Sequence, residues 1–224
     1  MKIDTLILGG GSTKAPAYIG ICRALYELNI INKELYGIKH IITCSIGMVS
    51  TIYLLLDISL EVQEKATLLS DFSSLINIDE VDINSLLSCN GLLSNEKLIY
   101  LLKGILQHKY NKDDITLKEL YDIKPILVTV KCCNITKGCN EYINVKTDPD
   151  LSILTLLRMT TAIPIFFQPI TYKNNLYVDG GLTGGYPIEL VKDNYIGFNI
   201  HGPKDGLKAS DDIPFLNYII DLLK

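Results

Sequence analysis

Twice within its first 60 residues the chain passes from an apolar, β-prone run through a turn of small residues into a helical pattern. Lys2–Leu8 reads as a buried strand that ends in Gly9-Gly10-Gly11. Ala17–Leu28 follows, with Ile19, Cys22, Leu25 and Leu28 spaced to share one helix face. Gly37–Thr43 reads as a second strand, and Met48–Leu56, apolar almost throughout, as the buried helix behind it. A helix between two strands returns the chain to the end of the sheet where it started. The strands must therefore lie parallel, joined by right-handed crossovers. The expected class is α/β.

The rest of the chain extends this pattern. Leu60–Phe72 is amphipathic, and Ser94 is placed to cap a helix reaching His108, with Leu98, Leu101, Leu102, Ile105 and Leu106 as its apolar stripe. Such a stripe is more often core than a membrane contact. Thr116 and Glu119 form a capping-box pattern for a short helix that stops before Pro125. Ile126–Asn134 and Glu141–Val145 read as strands joined through Ile135-Thr136-Lys137-Gly138. Asp150 is placed to cap a helix to Thr160, and Asn174-Asn175 to turn a hairpin between Pro169–Tyr172 and Leu176–Val178. Tyr195–Ile200 is a late strand and Phe215–Leu223 a closing helix. With no repeat, linker or low-complexity tract, residues 1–224 are expected to form one domain.

Composition narrows the function classes. A net charge of −4 opposes nucleic-acid binding, which needs a basic face to neutralise phosphates. The start lacks the basic and apolar regions of a signal peptide. Met48–Leu56 is far short of the ~20 residues a spanning helix requires. A cytoplasmic protein is expected, any membrane contact being peripheral. The six cysteines (22, 44, 89, 132, 133 and 139) have no repeating spacing. Cys132, Cys133 and Cys139 lack the CxxC pairs and nearby histidine of a zinc site, so reduced thiols and no metal are expected.

Three glycine-marked sites can carry chemistry, and each has an ordinary reading. The loop from Gly9 to Lys14 fits neither a dinucleotide fingerprint, where Lys14 stands in place of a glycine, nor a phosphate-binding P-loop. What remains is a loop of close-approaching amides at a helix N-terminus, suited to an anion or an oxyanion. In Thr43-Cys44-Ser45-Ile46-Gly47, Ser45 is either a helix cap or the nucleophile of a strand-to-helix elbow. At such an elbow Gly47 avoids a collision with neighbouring backbone. Asp179-Gly180-Gly181 is a turn signal, and equally an acid on a strand end able to accept a proton. Of the three histidines, His40 lies on the strand feeding Ser45 and His108 ends an amphipathic helix. His201 alone fits a Ser-Asp-His order.

Together these segments resemble the patatin-like phospholipases. Leu6–Gly20 is similar to the family's opening without a gap. Ser45 and Gly47 match its nucleophile elbow and Asp179-Gly180-Gly181 its acid motif. Arg158–Pro169 is similar to the helix-to-strand signature before that acid, and the likeness runs from about Lys2 to about Pro187. The resemblance implies a three-layer α/β/α fold with a mainly parallel central sheet, and a Ser45–Asp179 dyad in place of a triad. It also implies an oxyanion hole from the amides of Gly10, Gly11 and Ser12, with Lys14, Gly47, Gly180 and Gly181 in support. The implied activity is cofactor- and metal-independent cleavage of phospholipid or lysophospholipid acyl esters, with peripheral membrane contact. Departures from the family pattern are Ser12 and Ala15 for glycines of the loop, Thr43 for the first elbow glycine, and Tyr186 before Pro187. Ser12 and Ala15 are expected to cost roughly 1 kcal/mol wherever φ must be positive. Thr43 is expected to crowd the elbow. A lipid-binding protein that lost turnover through these changes is the alternative.

Overall fold

The computed structural model describes residues 3–69, 91–93 and 96–200. The Ser94 cap, Cys89, His201 and the helix at Phe215–Leu223 lie outside the described residues. In chain order the elements are β1 (Thr5–Leu8), α1 (Ala17–Glu27), β2 (His40–Cys44), α2 (Gly47–Leu55), α3 (Leu60–Leu69) and β3 (Gly91–Leu93). They continue with α4 (Glu96–Tyr110), α5 (Leu117–Ile123), β4 (Leu127–Asn134), β5 (Cys139–Ile143), α6 (Ile153–Thr161), β6 (Ile165–Phe167), β7 (Ile170–Tyr172), β8 (Asn175–Asp179) and β9 (Tyr195–Phe198).

Among the described residues seven strands form one mixed sheet and β3 pairs with β6 in a second. Strands β9, β1, β2 and β4 run parallel in that order, and β5, β8 and β7 add antiparallel pairings. Helix α2 packs on β1 and β2, α6 on β4 and β8, and α1 against α2 and α3, so the sheet is flanked in a three-layer α/β/α fold. Both α2 and α6 have most of their residues buried: α2 is apolar almost throughout, and α6 buries Thr160 and Thr161 beside its apolar residues. Leu98, Ile99, Leu102 and Leu106 of α4 belong to the core.

One feature of the sheet decides where the site forms. Along β4, one edge is taken by β5 from Val130 to Asn134. The opposite edge is shared: β2 occupies it up to Cys44 opposite Lys131, and β8 arrives from the other direction with Asp179 opposite Cys132. Two strands thus end head to head on adjacent rungs of a third.

Local differences from the sequence reading have simple causes. The buried face of α1 is Tyr18, Cys22 and Leu25; Leu28 is 69% exposed because the helix stops at Glu27. Ser152, not Asp150, caps α6, its Oγ accepting from the Thr155 amide at 3.0 Å. Leu151 is buried, so the chain enters the core before the helix begins. The hairpin turns at Lys173-Asn174, with φ of 44° and 59°, the double positive φ of a type I′ turn, and Tyr172 pairs with Asn175.

The capping box at Thr116 is present in both directions: its hydroxyl accepts from the Glu119 amide at 3.1 Å, and Glu119 accepts from the Thr116 amide at 2.8 Å. Thr116→Ala is expected to lower stability by about 1 kcal/mol. A shifted denaturant midpoint with an unchanged m-value is the readout, and no shift would contradict it.

Candidate active site

Ser45 lies in the turn between β2 and α2 with φ of 52°, in the left-handed region that a non-glycine residue enters at a cost of about 1–2 kcal/mol. Two features hold it there. Its amide donates to Thr160 Oγ1 at 2.8 Å, and the Thr160 hydroxyl donates in turn to the Lys131 carbonyl at 2.8 Å. The first residue of α2, Gly47, presses on the end of β1: a Cβ there would lie 2.2 Å from the Leu8 carbonyl oxygen and 2.6 Å from that of Gly9. Thr43 causes no crowding, contrary to expectation. It sits in regular strand register opposite Leu8 and Val130, and its hydroxyl donates to the Leu8 carbonyl at 3.0 Å. The close approach falls on Gly47 instead.

The head-to-head strand ends bring Asp179 to this turn from 134 residues away. Ser45 Oγ donates to Asp179 Oδ2 at 2.5 Å, and the Gly181 amide donates to Oδ1 at 2.6 Å. Burial pushes the Asp179 carboxyl up to about 6, even though both hydrogen bonds favour its ionised form. The turn after it has no room for side chains. A Cβ on Gly180 would stand 2.5 Å from the Lys131 carbonyl oxygen, and one on Gly181 would stand 2.9 Å from Asp179 Oδ1.

The glycine loop lies against the serine, a Cβ on Gly10 falling 3.5 Å from Ser45 Cβ. The expected set of oxyanion donors changes here. The Gly10 amide is already engaged, donating to the Gly185 carbonyl at 2.7 Å. The amides of Gly11 and Ser12 meet no acceptor among the described residues, nor does that of Ile46, next after Ser45. Ser12 takes a φ of 48°, so serine does carry the left-handed cost expected of it, whereas Ala15 is right-handed and carries none. Lys14 closes the short turn Ser12–Lys14 and has no ion pair among the described residues. The Tyr186 ring covers Gly9 and Gly197, where a Cβ on Gly197 would overlap its hydroxyl.

Among the described residues no histidine adjoins the pair. His40 opens β2, at the end remote from Ser45, and its Nε2 is 2.8 Å from Thr129 Oγ1. His108 is exposed on α4. Cys44 and Cys132 flank Asp179, and burial, reinforced by that carboxylate, pushes both thiols well up and keeps them neutral. No cluster able to hold a metal occurs among the described residues. Thr160, Lys131, Ile46 and Gly185 are the participants that sequence reasoning missed. Ile46 could have been found as the residue after the candidate nucleophile.

Known proteins are similar to this chain in sequence and in fold. The family pattern of the patatin-like phospholipases fits residues 6–192. The "Probable lipid hydrolase 463L" of Invertebrate iridescent virus 6 is 34% identical over 189 residues, covering 84% of this chain and 62% of that protein. An uncharacterised protein of Acanthamoeba polyphaga mimivirus is 25% identical, covering 99% of this chain and 75% of its own length. The chain thus spans about three-fifths of the first relative and three-quarters of the second. The crystal structure of VipD from Legionella pneumophila superposes with a TM-score of 0.62 at 18% identity, over 88% of this chain and 49% of that one. ExoU of Pseudomonas aeruginosa, in its complex with SpcU, gives 0.52 at 18% identity, over 73% and 39%. These two likenesses carry the fold, and the family pattern over most of the sequence carries the kinship: the chain belongs to the patatin-like phospholipase family.

Proposed function

We propose that the protein is a serine acyl hydrolase that cleaves fatty-acyl esters of phospholipids or lysophospholipids through a Ser45–Asp179 dyad, without a metal. The observation that carries this reading is the 2.5 Å hydrogen bond from Ser45 Oγ to a buried carboxylate, at a strained turn beside unengaged amides. Family membership and the lipid-hydrolase name of the viral relative support the substrate class.

The steps follow from these groups. Ser45 Oγ attacks the ester carbonyl carbon while Asp179 takes its proton. The carbonyl oxygen becomes an oxyanion held by the amides of Gly11, Ser12 and Ile46, each such donor being worth ~3 kcal/mol of barrier. Collapse expels the alcohol, which recovers the proton from Asp179 and leaves an acyl-serine. Asp179 then deprotonates water, hydroxide adds to the acyl carbon, and collapse expels Ser45 Oγ, which recovers the proton from Asp179 as the fatty acid departs. Leu182, Ile188 and Leu190, exposed on the segment after Asp179, supply apolar surface for approach to a lipid aggregate. Among the described residues no helix is long and apolar enough to cross a membrane.

Asp179 must be ionised to accept the proton, and its carboxyl titrates near 6. The kcat/KM for a short-chain nitrophenyl ester is therefore expected to rise through about pH 6 and level off above it. A rate that stays flat from about pH 4 to about pH 8 would remove Asp179 from this role. Release of fatty acid from phospholipid or lysophospholipid vesicles by the purified chain tests the substrate class; labelling by a fluorophosphonate without any such release would redirect the search to other esters.

A further inference from the structure

Lys131 is a buried ammonium that the chemistry above does not use. It lies on β4 at the rung where β2 gives way to β8, opposite Cys44 and next to the partner of Asp179. Its side chain is 3% exposed, and a lysine so enclosed is retained only where its charge is well met. Nζ donates to the Gly184 carbonyl at 2.8 Å, and to the Thr183 carbonyl and Glu189 Oε1 at 3.3 Å each. Glu189 also accepts from the Tyr142 hydroxyl on β5. Burial pushes the Glu189 carboxyl up, but the Tyr142 bond and the ammonium outweigh it and hold it below the usual range.

The carbonyl that Lys131 grips most closely belongs to Gly184, whose φ of 105° is one that only glycine adopts readily. The next residue, Gly185, accepts the Gly10 amide at 2.7 Å. Gly10 is the loop residue that faces Ser45, where an added Cβ would lie 3.5 Å from Ser45 Cβ, and the unengaged amides of Gly11 and Ser12 follow it directly. A continuous set of hydrogen bonds and peptide links thus runs from the Lys131 ammonium, through Gly184 and Gly185, to the glycine loop. The Lys131 carbonyl, on the same residue, takes the hydroxyl of Thr160 that holds the Ser45 amide.

We propose that Lys131 is a positioning residue: by fixing the segment 183–185 it sets the Gly11 and Ser12 amides at the distance from Ser45 that a tetrahedral oxyanion requires. This rests on the serine-hydrolase reading above. Misplaced donors weaken the transition state more than the substrate complex, so the loss belongs in kcat.

Lys131→Met keeps the length and apolar stem and removes the three donated bonds. On a short-chain nitrophenyl ester it is expected to lower kcat about 10- to 100-fold with KM within about threefold, and to slow fluorophosphonate labelling in proportion. Gly184→Ala supplies a second route that spares the core. Its Cβ has open space apart from Lys131 Nζ at 3.9 Å, but alanine resists the φ of 105°, so the carbonyl must turn away from the ammonium. The same split, of about 3- to 10-fold in kcat, is expected. If Lys131→Met does not fold, Gly184→Ala decides alone. Wild-type kcat in whichever folded variant is measured, or a change confined to KM, would overturn the role of Lys131. Absence of activity and labelling in the wild type would instead overturn the serine-hydrolase reading.

Discussion

Ser45→Ala and Asp179→Asn are each expected to reduce fatty-acid release by at least about 1,000-fold, the scale seen when one member of a nucleophile–base unit is removed. Their stabilities should part. Ser45→Ala removes the donor on Oδ2 and leaves a buried carboxylate with the Gly181 amide as its remaining partner, so it is expected to destabilise the fold above pH 6. Asp179→Asn removes a charge that burial opposes. The folded carboxyl titrates at about 6 against an ordinary 3.8, so the folded form binds the proton more tightly than the unfolded chain does. Stability contributed by that proton is complete below about pH 4, is lost as pH rises towards 6, and does not return above it. The loss is as much as about 3 kcal/mol, and the asparagine variant escapes it. Asparagine can keep the Gly181 bond and donate its amide hydrogen to Ser45 Oγ. The expected result is an inactive protein at least as stable as wild type at about pH 8, and less favoured relative to it at low pH. Thermal melts across pH, paired with fluorophosphonate labelling, check both halves. Substantial turnover in either variant would end the dyad proposal.

How much of this could be read from the sequence depended on how local the cause was. The two strand–turn–helix units were legible because glycine, serine and apolar spacing act within a dozen residues, and the Thr116 capping box is more local still. The meeting of Ser45 with Asp179 was not legible from spacing alone. It depends on β2 and β8 sharing one edge of β4, a fact about pairing register. The family resemblance supplied that pair where periodicity could not. Thr43 was misjudged because its β-branched side chain was expected to press on neighbouring backbone, whereas β2 runs one residue further, to Cys44, and holds Thr43 in register with a hydroxyl partner. Gly10 was misjudged for a related reason: its amide is consumed by Gly185, 175 residues later. Lys131 did leave a signal, a single charge within the run Leu127–Cys133, but nothing nearby in sequence named the carbonyls it would meet.

Gly47→Ala is expected to be the most damaging glycine-to-alanine change among the described residues. The new Cβ would fall 2.2 Å from the Leu8 carbonyl oxygen, 2.6 Å from that of Gly9 and 2.8 Å from the Leu8 carbonyl carbon, all backbone atoms of β1 and its end. No rotamer relieves such contacts, so α2 must lift from β1 by roughly an ångström. Helix α2 carries Met48, Val49, Ile52, Leu54 and Leu55 in the core, and all would be unpacked in part. An overlap of this kind falls among the rare substitutions costing more than about 4 kcal/mol, against a total stability of about 5–15 kcal/mol. For a chain of this size that is about 10 °C or more off the melting temperature, or loss of soluble protein. The same change at Gly20 in α1 and Gly104 in α4 is the control, because nothing stands within 4 Å of either new Cβ. There alanine should raise stability by about 1 kcal/mol each through helix propensity, with labelling at Ser45 unchanged. If Gly47→Ala instead melted with the wild type and labelled at its rate, the elbow could not be packed on β1 as described. The strained φ of Ser45 would then lose one of the contacts that hold it.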